Sequence, residues 1–180
     1  MVAKSTVKLI DEAIIPALLL ISAKLIGIFL TNYFFKINFA IHQQGFLNLL
    51  PSLTYSSVSD YIKVENYSNL LMFTVSAAGT LMVLVKAHLL HESHISPKLH
   101  QKLAKFNLEK LVSSSFHLYH QALIWMVFLW LVTIFLFLSS ISKITYPQIT
   151  AFAAIIAINF TWILAVDINK EIEIAKEQKV

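Results

Sequence analysis

Four long apolar runs constrain this chain more than any other feature, at roughly 13–35, 69–90, 116–138 and 149–166. Each is long enough to cross about 30 Å of hydrocarbon as a helix rising about 1.5 Å per residue. In lipid the backbone must satisfy its own polar groups, so a helix is forced and the many β-branched residues do not argue for strands. Barrel strands would alternate polar and apolar residues, and these runs do not. The expected fold class is therefore an all-α membrane protein, a bundle of four transmembrane helices. Composition agrees: 13% of the residues are charged, where a soluble domain averages about a quarter. Four spans of about 20 residues use nearly half of the 180 residues, so the chain reads as one membrane domain with no separate soluble one.

The first run might be mistaken for a cleaved leader, since Lys4 and Lys8 precede it and Ile21-Ser22-Ala23 resembles a cleavage site. The apolar stretch then continues through Leu25–Phe35, beyond the 7–15 residues of a signal core, so it is read as a retained anchor.

Charge sets the expected orientation. All 14 basic residues are lysines. Lys4 and Lys8 lie before the first span, Lys98, Lys102, Lys105 and Lys110 between the second and third, and Lys170, Lys176 and Lys179 after the fourth. The loops 36–68 and 139–148 hold only Lys36, Lys63 and Lys143. By the positive-inside rule both termini and the basic loop 91–115 face the cytoplasm, and 36–68 is extracytoplasmic. The arginine-free, Ile-, Lys- and Asn-rich composition suggests an AT-rich genome, hence a bacterial inner (plasma) membrane. Without arginine no bidentate recognition of phosphate or bases is expected, and nucleic acid is not an expected partner. The absence of cysteine excludes disulfides, thiolate metal sites and a cysteine nucleophile.

Within the basic loop, Ser96 as N-cap, Pro97 at the first helical position, and Leu99, Leu103 and Phe106 at i, i+4, i+7 predict a short amphipathic helix. Lys98, Lys102 and Lys105 run beside the apolar stripe, so anionic inner-leaflet lipids are its expected contact. Residues 167–180 read as a polar extension of the fourth helix. Asn66-Tyr67-Ser68 matches the glycosylation acceptor pattern, and by pattern only.

Two polar constellations stand out. Lys24 falls at the midpoint of the first run, where a charge costs at least about 2.5–3.5 kcal/mol and normally faces protein or water. Its helical face carries Ala17, Gly27 and Thr31, small and polar as an inter-helix surface should be. With 36–68 taken as loop, no carboxylate lies at that depth, and the expected intramembrane cluster is Lys24 with Ser76, Thr80 and Asn159. A competing register puts residues 9–23 at the interface around Pro16 and the true span at 25–41, which returns Lys24 to headgroup depth.

The second constellation is His88 and His91 at the end of the second span with His117 and His120 at the start of the third. Each pair is spaced i, i+3, on one helical face. Asp11, Glu12, Glu92 and Asp167 fall in the same layer. Imidazoles with carboxylates inside a four-helix bundle suit a transition metal, and paired histidines a b-type haem. Helix ends at a membrane interface also carry hydrated His, Asp and Glu for no chemical purpose. No Glu-x-x-His di-iron motif, H-E-x-x-H, Gly-rich phosphate loop or G-x-S-x-G is present.

The leading expectation is a small non-enzymatic membrane subunit that packs with itself or a partner protein. The alternatives are a metal- or haem-binding redox protein using the histidines, and an ion or small-anion carrier organised around Lys24.

Overall fold

The computed structural model describes residues 2–42, 52–90, 95–108, 112 and 115–177. It is helical, with four helices long and apolar enough to cross a membrane. In order these are α1 (Val2–Phe35), α2 (Val58–Leu89), α4 (Ser115–Ile141) and α5 (Pro147–Glu177), with the short α3 (Pro97–Lys105) between α2 and α4. Two four-residue strands, β1 (Phe39–His42) and β2 (Ser52–Tyr55), pair antiparallel between α1 and α2. The end of the bundle that carries them is called the hairpin end, and the opposite one the α3 end.

Burial is inverted relative to a water-soluble bundle. The outer faces are large and apolar, as at Ile15, Leu18, Phe29, Met82, Phe137 and Trp162, while Asn66, Ser68, Asn69, Ser76, Thr80 and Thr133 are buried. A soluble domain would not show so continuous an apolar surface. Between the helices, Leu20, Phe73, Leu84, Met126, Leu129 and Leu136 form the core, and α5 brings Ala153 and Ala157 against it. The α2–α4 pair is central, with α1 packed mainly on α2 and α5 mainly on α4.

Two glycines allow the closest approaches. A Cβ at Gly27 would lie 2.6 Å from Ser68 Cα, so α1 and α2 touch backbone to backbone there. A Cβ at Gly79 would lie 2.2 Å from the Trp125 ring, so that indole is seated on α2. Small residues at membrane-helix contacts serve this purpose. On α4, Phe135 and Phe137 face out, whereas Trp125 turns onto Gly79 and Trp130 Nε1 donates to Thr161 Oγ1 at 3.0 Å.

Three helices end on a left-handed residue that is not glycine: Lys36 (φ 53°), Asn107 (φ 57°) and Lys143 (φ 57°). Behind each, an apolar residue closes a six-to-one hydrogen bond, Ile37 N to Asn32 O (2.9 Å), Leu108 N to Leu103 O (2.8 Å) and Ile144 N to Ser139 O (2.9 Å). This is the Schellman arrangement, which satisfies carbonyls that the helix end would leave open.

The element boundaries correct two expectations. α1 is one helix ending at Phe35 with Pro16 inside it, so a span over 25–41 does not form. α2 begins at Val58, inside the stretch expected to be loop, because Ser57 accepts from Asp60 N (3.0 Å) and caps it. Asn66 of the sequon is 2% exposed, and its Nδ2 donates to Ile62 O (2.7 Å) and Ile144 O (2.8 Å), so the folded chain does not present it for modification. The polar extension of the last span is helical through Glu177, and α3 starts at Pro97 behind Ser96, whose side chain accepts from Leu99 N.

Candidate functional site

The most unusual site is built around Lys24. It lies 12 residues after Glu12 and 11 before Phe35 in the span Glu12–Phe35, about 18 and 17 Å from its ends. Its ammonium has three donors and meets three acceptors on α2: Glu65 Oε2 at 2.6 Å, Ser68 Oγ at 2.9 Å and Asn69 Oδ1 at 2.5 Å. Gly27, one turn further along α1, lets the backbones meet at Ser68, which is why side chains as short as serine and asparagine reach the ammonium.

A second layer orients the acceptors. Ser68 Oγ donates to Val64 O at 2.7 Å, leaving its lone pairs to Lys24. Asn69 Nδ2 donates to Thr145 Oγ1 at 3.2 Å, which turns its carbonyl oxygen the same way. Asn66, on the same helix, receives Tyr146 N at 2.7 Å while donating to Ile144 O, and so clamps the α4–α5 connection. The network runs from α1 through α2 to that connection. Every donor of the ammonium is engaged, and Glu65 cancels its charge.

Neither Ser76, Thr80 nor Asn159 takes the role expected of it beside Lys24. Ser76 Oγ is buried and, among the described residues, meets no hydrogen-bond partner. Thr80 Oγ1 bonds Ser76 O (2.9 Å) and Trp125 O (3.3 Å), and Asn159 Nδ2 bonds Ile155 O (2.7 Å) on an exposed face. Glu65 was missed because it falls among polar residues that hydropathy assigns to a loop. Ser57-Val58-Ser59-Asp60 is a Ser-x-x-acid start signal that could have placed the helix earlier and the carboxylate with it.

At the α3 end the histidines divide between two sides of α4. His117 Nδ1 lies 3.5 Å from Glu12 Oε1 and His120 Nε2 lies 3.4 Å from Glu12 Oε2, joining α4 to α1. His88 Nδ1 lies 3.3 Å from Asp167 Oδ1, and Tyr119 donates its hydroxyl to Asp167 Oδ2 at 3.2 Å, joining α2, α4 and α5. His91, Glu92 and His94 lie outside the described residues, as does the Asp11 side chain. Among the described residues no group of three or more His, Asp or Glu is arranged to hold a metal ion. On α3, Lys98, Lys102 and Lys105 are exposed and Leu99 and Leu103 half-buried.

Searches against protein-family models, curated proteins and solved structures find no match to this chain.

Proposed function

We propose that the protein is a small non-enzymatic integral membrane subunit that packs, through the flank carrying Lys24 and Glu65, against another membrane protein or a second copy to assemble or anchor a larger complex. The observation that carries this reading is an exposed ion pair in an apolar place. The Lys24 and Glu65 side chains keep 21% and 20% of their surface open, one at the middle of the α1 span and the other seven residues into α2, on helices whose exposed residues are mostly apolar. Beside them Leu20, Met72, Phe128, Leu131, Val132 and Phe135 border an apolar groove along α1, α2 and α4. Ionised groups at such depth normally face protein or a water-filled cavity, so a partner helix over this flank completes their enclosure. A carrier built on Lys24 would need a donor left for its anion, and all three are engaged.

In the fuller form of this reading the protein sits in a bacterial inner membrane with both termini cytoplasmic. α3 then lies on the inner leaflet with Lys98, Lys102 and Lys105 toward anionic headgroups. Its support is the lysine asymmetry and the exposure of those three side chains. Reporter fusions after residues 110 and 180 should read cytoplasmic, and those after 55 and 143 outside.

The decisive experiment combines native mass spectrometry from mild detergent with a photo-crosslinker at Phe135. The expected result is an oligomer or a stoichiometric membrane partner, with the crosslink formed to it. A monomer that crosslinks to no protein, in detergent and in nanodiscs alike, overturns the reading.

A further inference from the structure

A different face of the α1–α2 pair carries an open groove near the hairpin end, of about 440 Å3, lined by Leu30, Phe34, Phe35, Tyr67, Leu70 and Leu71, with Gly27, Thr31 and Thr74. Its size is that of a site for one small or chain-like ligand. The chemistry of its wall is narrower than the residue types suggest. Thr31 Oγ1 donates to Gly27 O at 2.7 Å and Thr74 Oγ1 to Leu70 O at 2.8 Å, so both hydroxyls are turned onto their own helices. What remains along the length of the groove is hydrocarbon, which gives a polar or charged ligand nothing to bind.

The mouth is different. Phe35 and Tyr67 stack there with ring centroids 5.0 Å apart, and Lys63 Nζ stands 5.1 Å from the centre of the Phe35 ring. Lys36 follows Phe35 directly and is exposed, held in place by the left-handed turn that ends α1. Among the described residues neither ammonium has a carboxylate within ion-pair distance; the Glu65 carboxylate is taken by Lys24. An apolar trough thus opens beside the Lys63 ammonium, with Lys36 one residue beyond its Phe35 wall at the end of α1.

From this juxtaposition we infer that the groove is a binding site for an anionic phospholipid of the leaflet at the hairpin end, with one acyl chain lying between α1 and α2 and the phosphate at Lys63 and Lys36. A transmembrane helix is the other occupant of such a groove, and the wall argues against it. Helices pack closely over small residues, and of the three small ones here Gly27 is already covered by Ser68, while six of the nine lining side chains are large. Large flexible side chains around a trough suit a hydrocarbon chain that conforms to them.

The test uses the full chain in mild detergent, titrated with phosphatidylglycerol or with phosphatidylcholine of identical acyl chains, and read by native mass spectrometry. The wild type should retain one phosphatidylglycerol in preference to phosphatidylcholine. Lys63→Gln and Lys36→Gln should each reduce that preference roughly fivefold, since a lysine near an anionic headgroup is worth about 1 kcal/mol. Thr74→Trp, which fills the trough from an exposed position, should remove binding of both lipids while helicity by circular dichroism is retained. Equal retention of the two lipids by the wild type overturns the inference, as does undiminished binding to a folded Thr74→Trp variant. If the wild type is an oligomer and Thr74→Trp makes it monomeric, the occupant is a second copy and the lipid site is likewise refuted. The lysine variants change exposed or half-exposed side chains, so they decide the headgroup half even if the filled groove does not fold.

Discussion

The interior of this bundle around Lys24 and its α3 end handle charge in opposite ways. Around Lys24 the contacts are short, 2.5–2.9 Å, every ammonium donor is met, and the acceptors are themselves oriented by further hydrogen bonds. At the α3 end the contacts of Glu12 and Asp167 with histidines are 3.3–3.5 Å long, and the His88 side chain is 66% exposed. The difference follows from depth. Where hydrocarbon replaces water, an unmet donor or an uncancelled charge has no solvent to fall back on, so only a complete set of partners is tolerable. At His88, which is largely exposed at a helix end, water satisfies what the protein does not, and loose pairing carries little penalty.

The comparison can be broken by substitution, and the effects should descend in a fixed order. Glu65→Ala should be the most damaging, lowering stability by about 3–5 kcal/mol because it strands the Lys24 charge. Pairing Lys24→Met with Glu65→Leu should recover most of that loss in an unfolding titration. If the single and double variants are equally damaged, the pair is not what holds α1 to α2. Gly27→Val comes next, at about 1–3 kcal/mol, because its side chain meets Ser68 backbone that cannot swing aside. A distance probe between α1 and α2 should show the helices pushed apart.

Asn66→Ala should cost about 1–2 kcal/mol by releasing the 144–146 connection, with the loss seen as faster amide exchange at Tyr146. His88→Ala should cost less than about 1 kcal/mol, since its ring is largely exposed and Asp167 keeps the Tyr119 hydroxyl. A His88 variant as damaging as Glu65→Ala would abolish the distinction between the interior and the α3 end.

The parts of this fold that were legible from sequence are those lipid dictates. α4 and α5 begin within two residues of their apolar runs, and α1 ends with its run at Phe35, because twenty apolar residues in a membrane have one conformational solution. α2 starts 11 residues before its run because its first turns carry Asp60, Lys63, Glu65, Asn66 and Asn69, which hydropathy averages away and tertiary contacts retain. Lys24 was conspicuous because its neighbours are apolar; Glu65 was hidden because its neighbours are not. The histidines showed their helical faces through spacing, but spacing could not reveal that α4 separates them, since that depends on which helix lies on which side. β1 and β2, four residues each, gave no periodic signal long enough to read.

The position of Glu65 on α2 rather than on α1 also bears on how the chain enters a bilayer. A nascent segment ending at Phe35 would present the translocon with a lysine and no carboxylate to neutralise it at that depth, and α2 brings that carboxylate as Glu65. The lysine carries an insertion cost of about 2.5–3.5 kcal/mol that pairing with α2 reduces. The two segments therefore partition more favourably together, as a helical hairpin released sideways into lipid, than one after the other. The 43–51 stretch between the strands only has to be long enough to let the second arm fold back on the first. Insertion of α1 and α2 is then an event of the pair rather than of each helix alone.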